Sequence, residues 1–168
     1  VSREAEARLT RLHELLAVDL LNYFVRRVAS RDDAADLLAE TFLVAWRHIG
    51  RLPRDDRAAR MWMFVTARNV HNNHQRGIRR RHQLADRLRL DLASTAAPAG
   101  VSAESLDVRA AVDALPEDQR ELVRLIHWDG FTVGEAADVV GIRESTARGR
   151  YQRARATLQS RLAAGRLV

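Results

Sequence analysis

The chain has 168 residues, room for one ordinary domain or two small helical ones, and 46% of them are hydrophobic, enough for packed cores. A net charge of +6 and a pI of about 11.1 point to a polyanionic partner. The absence of cysteine excludes disulfides, thiolate metal sites and cysteine nucleophiles, and no run of 18 apolar residues exists, so no transmembrane helix or membrane insertion is expected.

All 28 basic residues are arginine, whose planar fork suits phosphate and guanine better than the point charge of lysine does. The N-terminal VSREAEARLTRLHELL is charged from its third residue and has no secretory apolar core. With the lack of cysteine, this makes the cytoplasm the expected compartment.

Residues 3–29 place Leu9, Leu12, Leu16, Leu20, Phe24 and Val28 at helical spacing, as one helix or as two with a break near Ala17–Asp19. Ser30, followed by Asp32 and Asp33, reads as a cap. The next helix is expected over Asp32–Ile49, with Leu38, Phe42, Ala45, Trp46 and Ile49 inward and Gly50 as its stop. Its acidic edge holds Asp32, Asp33, Asp36 and Glu40, of which Asp36 and Glu40 share a face at i, i+4. Like charges so placed cost a few tenths of a kcal/mol, a cost relieved by an electropositive partner or by solvent.

Arg51–Arg60 reads as a polar loop containing Pro53, and a further helix is expected over Ala59–Arg80. Its aromatic start, with Trp62, Phe64 and Val65, is assigned to the core. Beyond it, Arg68, Asn69, Asn72, Asn73, His74 and Gln75 can address bases, and Arg76, Arg79, Arg80 and Arg81 can hold phosphates. Residues 82–90 continue it as a short helix. Asp91–Asp107 has no arginine and is rich in Ala, Ser, Gly and Pro, which is a linker composition.

Helical patterning returns at Val108, and Leu115-Pro116-Glu117-Asp118 marks a helix start. Leu122, Val123, Leu125 and Ile126 lead to Trp128 and the turn Asp129-Gly130. The stretch Phe131–Leu158 then reads as two helices joined by a tight turn. Thr132 and Glu135 form a capping box. Val133, Ala136, Ala137 and Val140 make one apolar face, Gly141 is the stop and Ile142 plugs the corner. The second helix starts at Arg143 or Glu144 and turns Ala147, Tyr151, Ala154, Leu158 and Leu162 inward. Its opposite face carries Ser145, Arg148, Gly149, Gln152 and Arg153. Arginine and glutamine can bond base edges in pairs, and serine can bind phosphate or base. Gly149 costs about 1 kcal/mol of helix stability, which fits either a backbone lying close to DNA or a tolerated defect.

The fold expected is therefore all-α: two small helical domains, 1–90 and 108–168, joined by a flexible linker, 91–107, with the C-terminal domain a helix-turn-helix. No catalytic residue, metal site or cofactor is expected. His71 and His74 sit at i, i+3 but have no carboxylate in the same turns and lie among arginines. His127-Trp128-Asp129 reads as a helix end, and no Walker, GxGxxG or GxSxG motif occurs.

Three segments together resemble the sigma factors of bacterial RNA polymerase, in particular their extracytoplasmic-function (ECF) group. DAADLLAETFLVAWRHI resembles that family's polymerase-docking helix. RMWMFVTARNVHNNHQRGIRRR resembles its −10 helix, and ALPEDQRELVRLIHWDGFTVGEAADVVGIRESTARGRYQRARATL its −35 module. The resemblance implies a chain that binds core RNA polymerase at the β′ clamp and β flap, recognises both promoter elements and helps to open DNA. It implies polymerase docking by Asp36 and Glu40, −10 contacts by Arg68, Asn69, Asn72, Asn73 and Arg76, and −35 contacts by Ser145, Arg148, Gly149, Gln152 and Arg153. It also implies capture of a flipped base by the segment Arg51–Arg60, and control by an anti-sigma factor. Ala39, Asn73 and Gly149 depart from the residues commonest there in the family: glutamine, aspartate and serine. The competing reading is a helix-turn-helix repressor or activator that binds half-sites without polymerase.

Overall fold

A computed structural model of the chain describes the backbone of residues 3–89 and 104–165, and the side chains of 3–81 and 108–163. The chain divides into two compact units, Val1–Ala93 and Ser94–Val168. Among the described residues all regular structure is helical, as expected.

The first unit is built from α1 (Arg3–Val25), α2 (Arg31–Arg47), a 3-10 turn (Ile49–Arg51) and α3 (Asp56–Arg89). Helix α1 is continuous through Ala17–Asp19, because Leu12, Leu16, Leu20, Tyr23 and Phe24 form one unbroken buried stripe while Val18 and Asp19 lie on the exposed side. It stops at Val25, sooner than the pattern predicts. There the Arg27 and Val28 N–H groups turn back onto the Phe24 carbonyl, at 2.7 and 3.0 Å.

Ser30 caps α2, its hydroxyl accepting from the Asp32 and Asp33 N–H groups. The buried stripe of α2 is Ala34, Leu37, Thr41 and Ala45. It is offset by one position from the expected Leu38, Phe42, Trp46 face, whose members are half-buried at its flank. Thr41 enters the core because its hydroxyl donates to the Leu37 carbonyl at 2.7 Å and leaves its methyl group for packing. Helix α2 closes at Arg47 with His48 as its cap, so Gly50 falls inside the 3-10 turn rather than at the helix end.

Helix α3 begins at Asp56, inside the expected loop. The Asp55 carboxylate accepts from the Ala58 N–H at 2.8 Å and supplies the cap. The short connection is pinned to α1: Leu52 is buried, and Arg8 donates to the Leu52 carbonyl at 2.9 Å and to that of Pro53. Arg11 pairs with Asp56 at 2.7 Å. Helix α3 then runs without interruption through Gly77 to Arg89, which takes in the continuation expected at 82–90.

The second unit contains α4 (Glu104–Asp113), α5 (Glu117–His127), α6 (Val133–Val140) and α7 (Glu144–Gly165). Helix α4 starts within the stretch assigned to the linker, with Glu104 and Asp107 in its first turn; the linker's other residues lie outside the described ones. Val112, Leu115, Val123 and Ala154 form a core cluster, against which Trp128, Tyr151 and Leu158 pack. Polar ties fix the helices around it: Arg124 to Asp113 at 2.8 Å, Arg120 to the Asp113 carbonyl at 2.7 Å, and Arg150 to Asp118 at 3.1 Å.

The α6–α7 corner is set by local chemistry. Both halves of the capping box are present: the Glu135 N–H donates to the Thr132 hydroxyl at 3.2 Å, and the Thr132 N–H donates to the Glu135 carboxylate at 2.9 Å. Gly141 takes a left-handed conformation, φ 76°. Its N–H and that of Ile142 then close on the Ala137 carbonyl at 2.8 and 3.0 Å. No helix among the described residues is long and apolar enough to cross a membrane.

Candidate nucleic-acid and polymerase interfaces

Helix α7 has one packed and one open side. Ala147 and Ala154 are fully buried, with Tyr151, Leu158 and Leu162 half-buried beside them. Ser145, Arg148, Gln152 and Arg153 are exposed together on the other side, and Gly149 lies half-buried among them. Arg150 is not part of this face, being held to Asp118. Arg148 carries a partner on its own helix: its Nε donates to the Glu144 carboxylate at 3.0 Å, and its Nη2 to the same oxygen. Glu144 lies outside the set singled out from the sequence, and its i, i+4 spacing to Arg148 is the signal that identifies it.

A Cβ built on Gly149 would meet only the Arg153 guanidinium, at 3.9 Å. Nothing within this unit requires a glycine there. Gly149→Ala is therefore expected to raise the unfolding free energy of the second unit by about 1 kcal/mol, seen as a higher melting temperature. A fall in melting temperature would show that the fold itself needs the glycine.

On α3, Met63, Phe64, Ala67 and Val70 are buried on one side. At about 100° per residue, Arg68, Asn69, Asn72, Asn73 and Arg76 fall within an arc of about 140° on the other side. Asn69, Asn73 and Arg76 are exposed, and Arg68 and Asn72 half-buried. Arg79 and Arg80 extend the same arc, while Arg81 turns away from it. The half-buried Trp62 and Val65 precede the polar residues on this side, so an aromatic plate leads into an amide and guanidinium track. The Arg76 guanidinium donates to the Asn73 side-chain carbonyl, which orders the end of the track. His71 lies against Gln75, 3.4 Å from its amide. His127 ends α5 and meets the Tyr151 hydroxyl at 2.8 Å.

Asp36 and Glu40 are exposed on α2, on a face that flanks the stripe of Leu37, Thr41 and Ala45. Among the described residues, neither carboxylate has a hydrogen bond or ion pair. Leu43 shares their face and is 54% exposed, a large apolar side chain that the sequence pattern alone did not mark. The segment Arg51–Arg60 is divided between the end of the 3-10 turn, the pinned connection and the first turn of α3.

Comparison with known proteins assigns both units. Residues 12–81 match the Sigma-70 region 2 family, and residues 105–158 match Sigma-70, region 4. The chain is 31% identical over 163 residues to the ECF RNA polymerase sigma factor SigL of Mycobacterium tuberculosis, covering 92% of each chain. It is 33% identical over 150 residues to the ECF RNA polymerase sigma factor EcfG of Rhodopseudomonas palustris, covering 88% of this chain and 82% of that one. Among solved structures, the sigma factor RpoE of Bartonella quintana, crystallised with the anti-sigma factor NepR, superposes with a TM-score of 0.71 and 26% identity over 92% of this chain and 96% of that one. CnrH, in complex with the cytosolic domain of CnrY, gives a TM-score of 0.67 at 25% identity over 95% of this chain and 90% of that one. With both regions present in order and relatives matched along nearly their whole length, the chain belongs to the ECF group of RNA polymerase sigma factors.

Proposed function

We propose that the two units divide the work of an alternative sigma factor. Residues 1–90 dock on the β′ clamp of core RNA polymerase through Asp36 and Glu40, and hold the −10 element on the α3 track of Arg68, Asn69, Asn72, Asn73 and Arg76. Residues 108–168 read the −35 element with Ser145, Arg148, Gly149, Gln152 and Arg153, beside the β flap. Residues 91–107 tether them, so that binding at one element raises the effective concentration at the other. The observation that carries this reading is that one chain has two separate arginine-bearing helix faces, on α3 and α7, each backed by its own core.

The chemistry is binding rather than catalysis, and needs no metal or cofactor. Opening follows when unstacked bases are held on the Trp62 side of α3, because stacking and backbone contacts offset the loss of base pairing. The region Arg51–Arg60 stands at the start of that helix and supplies the place for a flipped base. The protein works in the cytoplasm. The relative crystallised with the anti-sigma factor NepR supports control of this chain, too, by an anti-sigma factor.

The test is reconstituted transcription: core polymerase with and without the chain, over a library of promoters from its own genome. Initiation that depends on the chain and maps to a shared −35/−10 pair is the expected result. Arg148→Ala should then weaken promoter-specific binding by about 1–3 kcal/mol. Equal loss on promoter and scrambled duplex would remove its base-reading role. No initiation, with half-site binding by the free chain, would replace this reading with a repressor or activator.

A further inference from the structure

The arginine-rich segment that begins at Arg143 contains a single acid, Glu144. It stands at the first position of α7, where a carboxylate opposes the charge of any phosphate brought to that face. The helix dipole favours an acid in this first turn, and the contacts of Glu144 give it a further role. Glu144 Oε1 accepts from Arg148 Nε at 3.0 Å and also from Nη2. The same carboxylate lies beside the start of the neighbouring helix. A Cβ built on Gly134, in the first turn of α6, would stand 3.5 Å from both Cδ and Oε2 of Glu144. The group therefore rests on the position of that turn that has no side chain, at the positive end of α6. An exposed i, i+4 ion pair alone is loosely held and contributes little; here the carboxylate also lies close beside the first turn of a second helix.

A guanidinium can offer paired donors along two edges, Nε with Nη2 and Nη1 with Nη2. Glu144 takes the first edge. The second remains for a pair of acceptors such as guanine O6 and N7. Without the carboxylate, both edges are open and the side chain is free to swing to a phosphate, which carries no sequence information.

We propose that Glu144 is a positioning residue that holds Arg148 in its base-reading orientation, so that it sets −35 specificity while lowering overall affinity for DNA. This rests on α7 being the −35 helix. The experiment uses core polymerase reconstituted with the full chain to select sequences from a promoter library randomised only at −35, with binding to scrambled duplex measured in parallel. Arg148→Ala identifies the base position that arginine reads. Glu144→Ala is expected to lower preference at that same position about tenfold, with scrambled binding raised. In the Arg148→Ala background, Glu144→Ala should change no base preference. If Glu144→Ala instead raises binding to every sequence alike and leaves the preference intact, Glu144 is only a repelling charge and the proposal is wrong. If the unaltered chain selects no −35 sequence, or Arg148→Ala erases no preference, the reading of α7 fails, and the proposal with it.

Discussion

Phe64→Ala is expected to remove about 3–5 kcal/mol from the stability of the first unit. Phe64 is fully buried and joins α3 to α1 through an edge-to-face contact with Tyr23, ring centroids 5.6 Å apart at 88°. Tyr23 in turn meets Phe24 edge-to-face at 5.3 Å, and the Arg60 guanidinium lies 4.9 Å from the Phe64 ring centre. Truncation removes the ring from this cluster and leaves a cavity that Tyr23 and Phe24, each already packed, cannot fill by a rotamer change. Small domains are stable by only about 5–15 kcal/mol, so the loss takes much of what holds α1 to α3. Amide hydrogen exchange resolves the two units separately. Protection should fall sharply within α1, α2 and α3 and hold in α5, α6 and α7. Unchanged protection in the first unit would mean that Phe64 does not anchor the core.

The contrast between the two units explains what could be read in the sequence. The α6–α7 corner was legible because every device in it is local: Thr132 with Glu135 three residues later, and Gly141 where a left-handed residue is required. The inward face of α7 followed from its spacing for the same reason. Helix faces set by tertiary packing were less legible. The pattern favoured Leu38, Phe42 and Trp46 on α2, whereas burial chose Leu37 and Thr41. The hydroxyl of Thr41 is satisfied within its own helix, which no hydropathy pattern reports. Asp55 reads as loop in the sequence because its role as a cap depends on where α3 begins, and that is decided by burial of Ala59 and Met63 against the rest of the unit. The polar faces of α3 and α7 are legible by residue type and spacing, but the pairing of Arg148 with Glu144 requires the side-chain geometry.

Asp36→Ala combined with Glu40→Ala should weaken binding to core polymerase by at least about 2 kcal/mol, roughly thirtyfold in Kd, if both carboxylates close against basic groups of the clamp. The fold should not suffer. Both side chains are exposed, they repel one another along one face of α2 at i, i+4, and alanine is the better helix former. The double variant should therefore melt at or slightly above the temperature of the unaltered chain, which separates a binding defect from an unfolding one. Leu43, 54% exposed on the same face, places an apolar group beside the two charges, as expected of a surface that becomes dry on docking. Kinetics then distinguish contact from steering. Charges at the rim of an interface act mainly on the association rate and lose their influence at high salt, whereas charges within it act on dissociation. Binding of labelled chain to core polymerase, followed at low and at high salt, should show a faster dissociation that persists at high salt. An unchanged dissociation rate, with a slower association only at low salt, would reduce Asp36 and Glu40 to steering charges and place the docking contact elsewhere on the first unit.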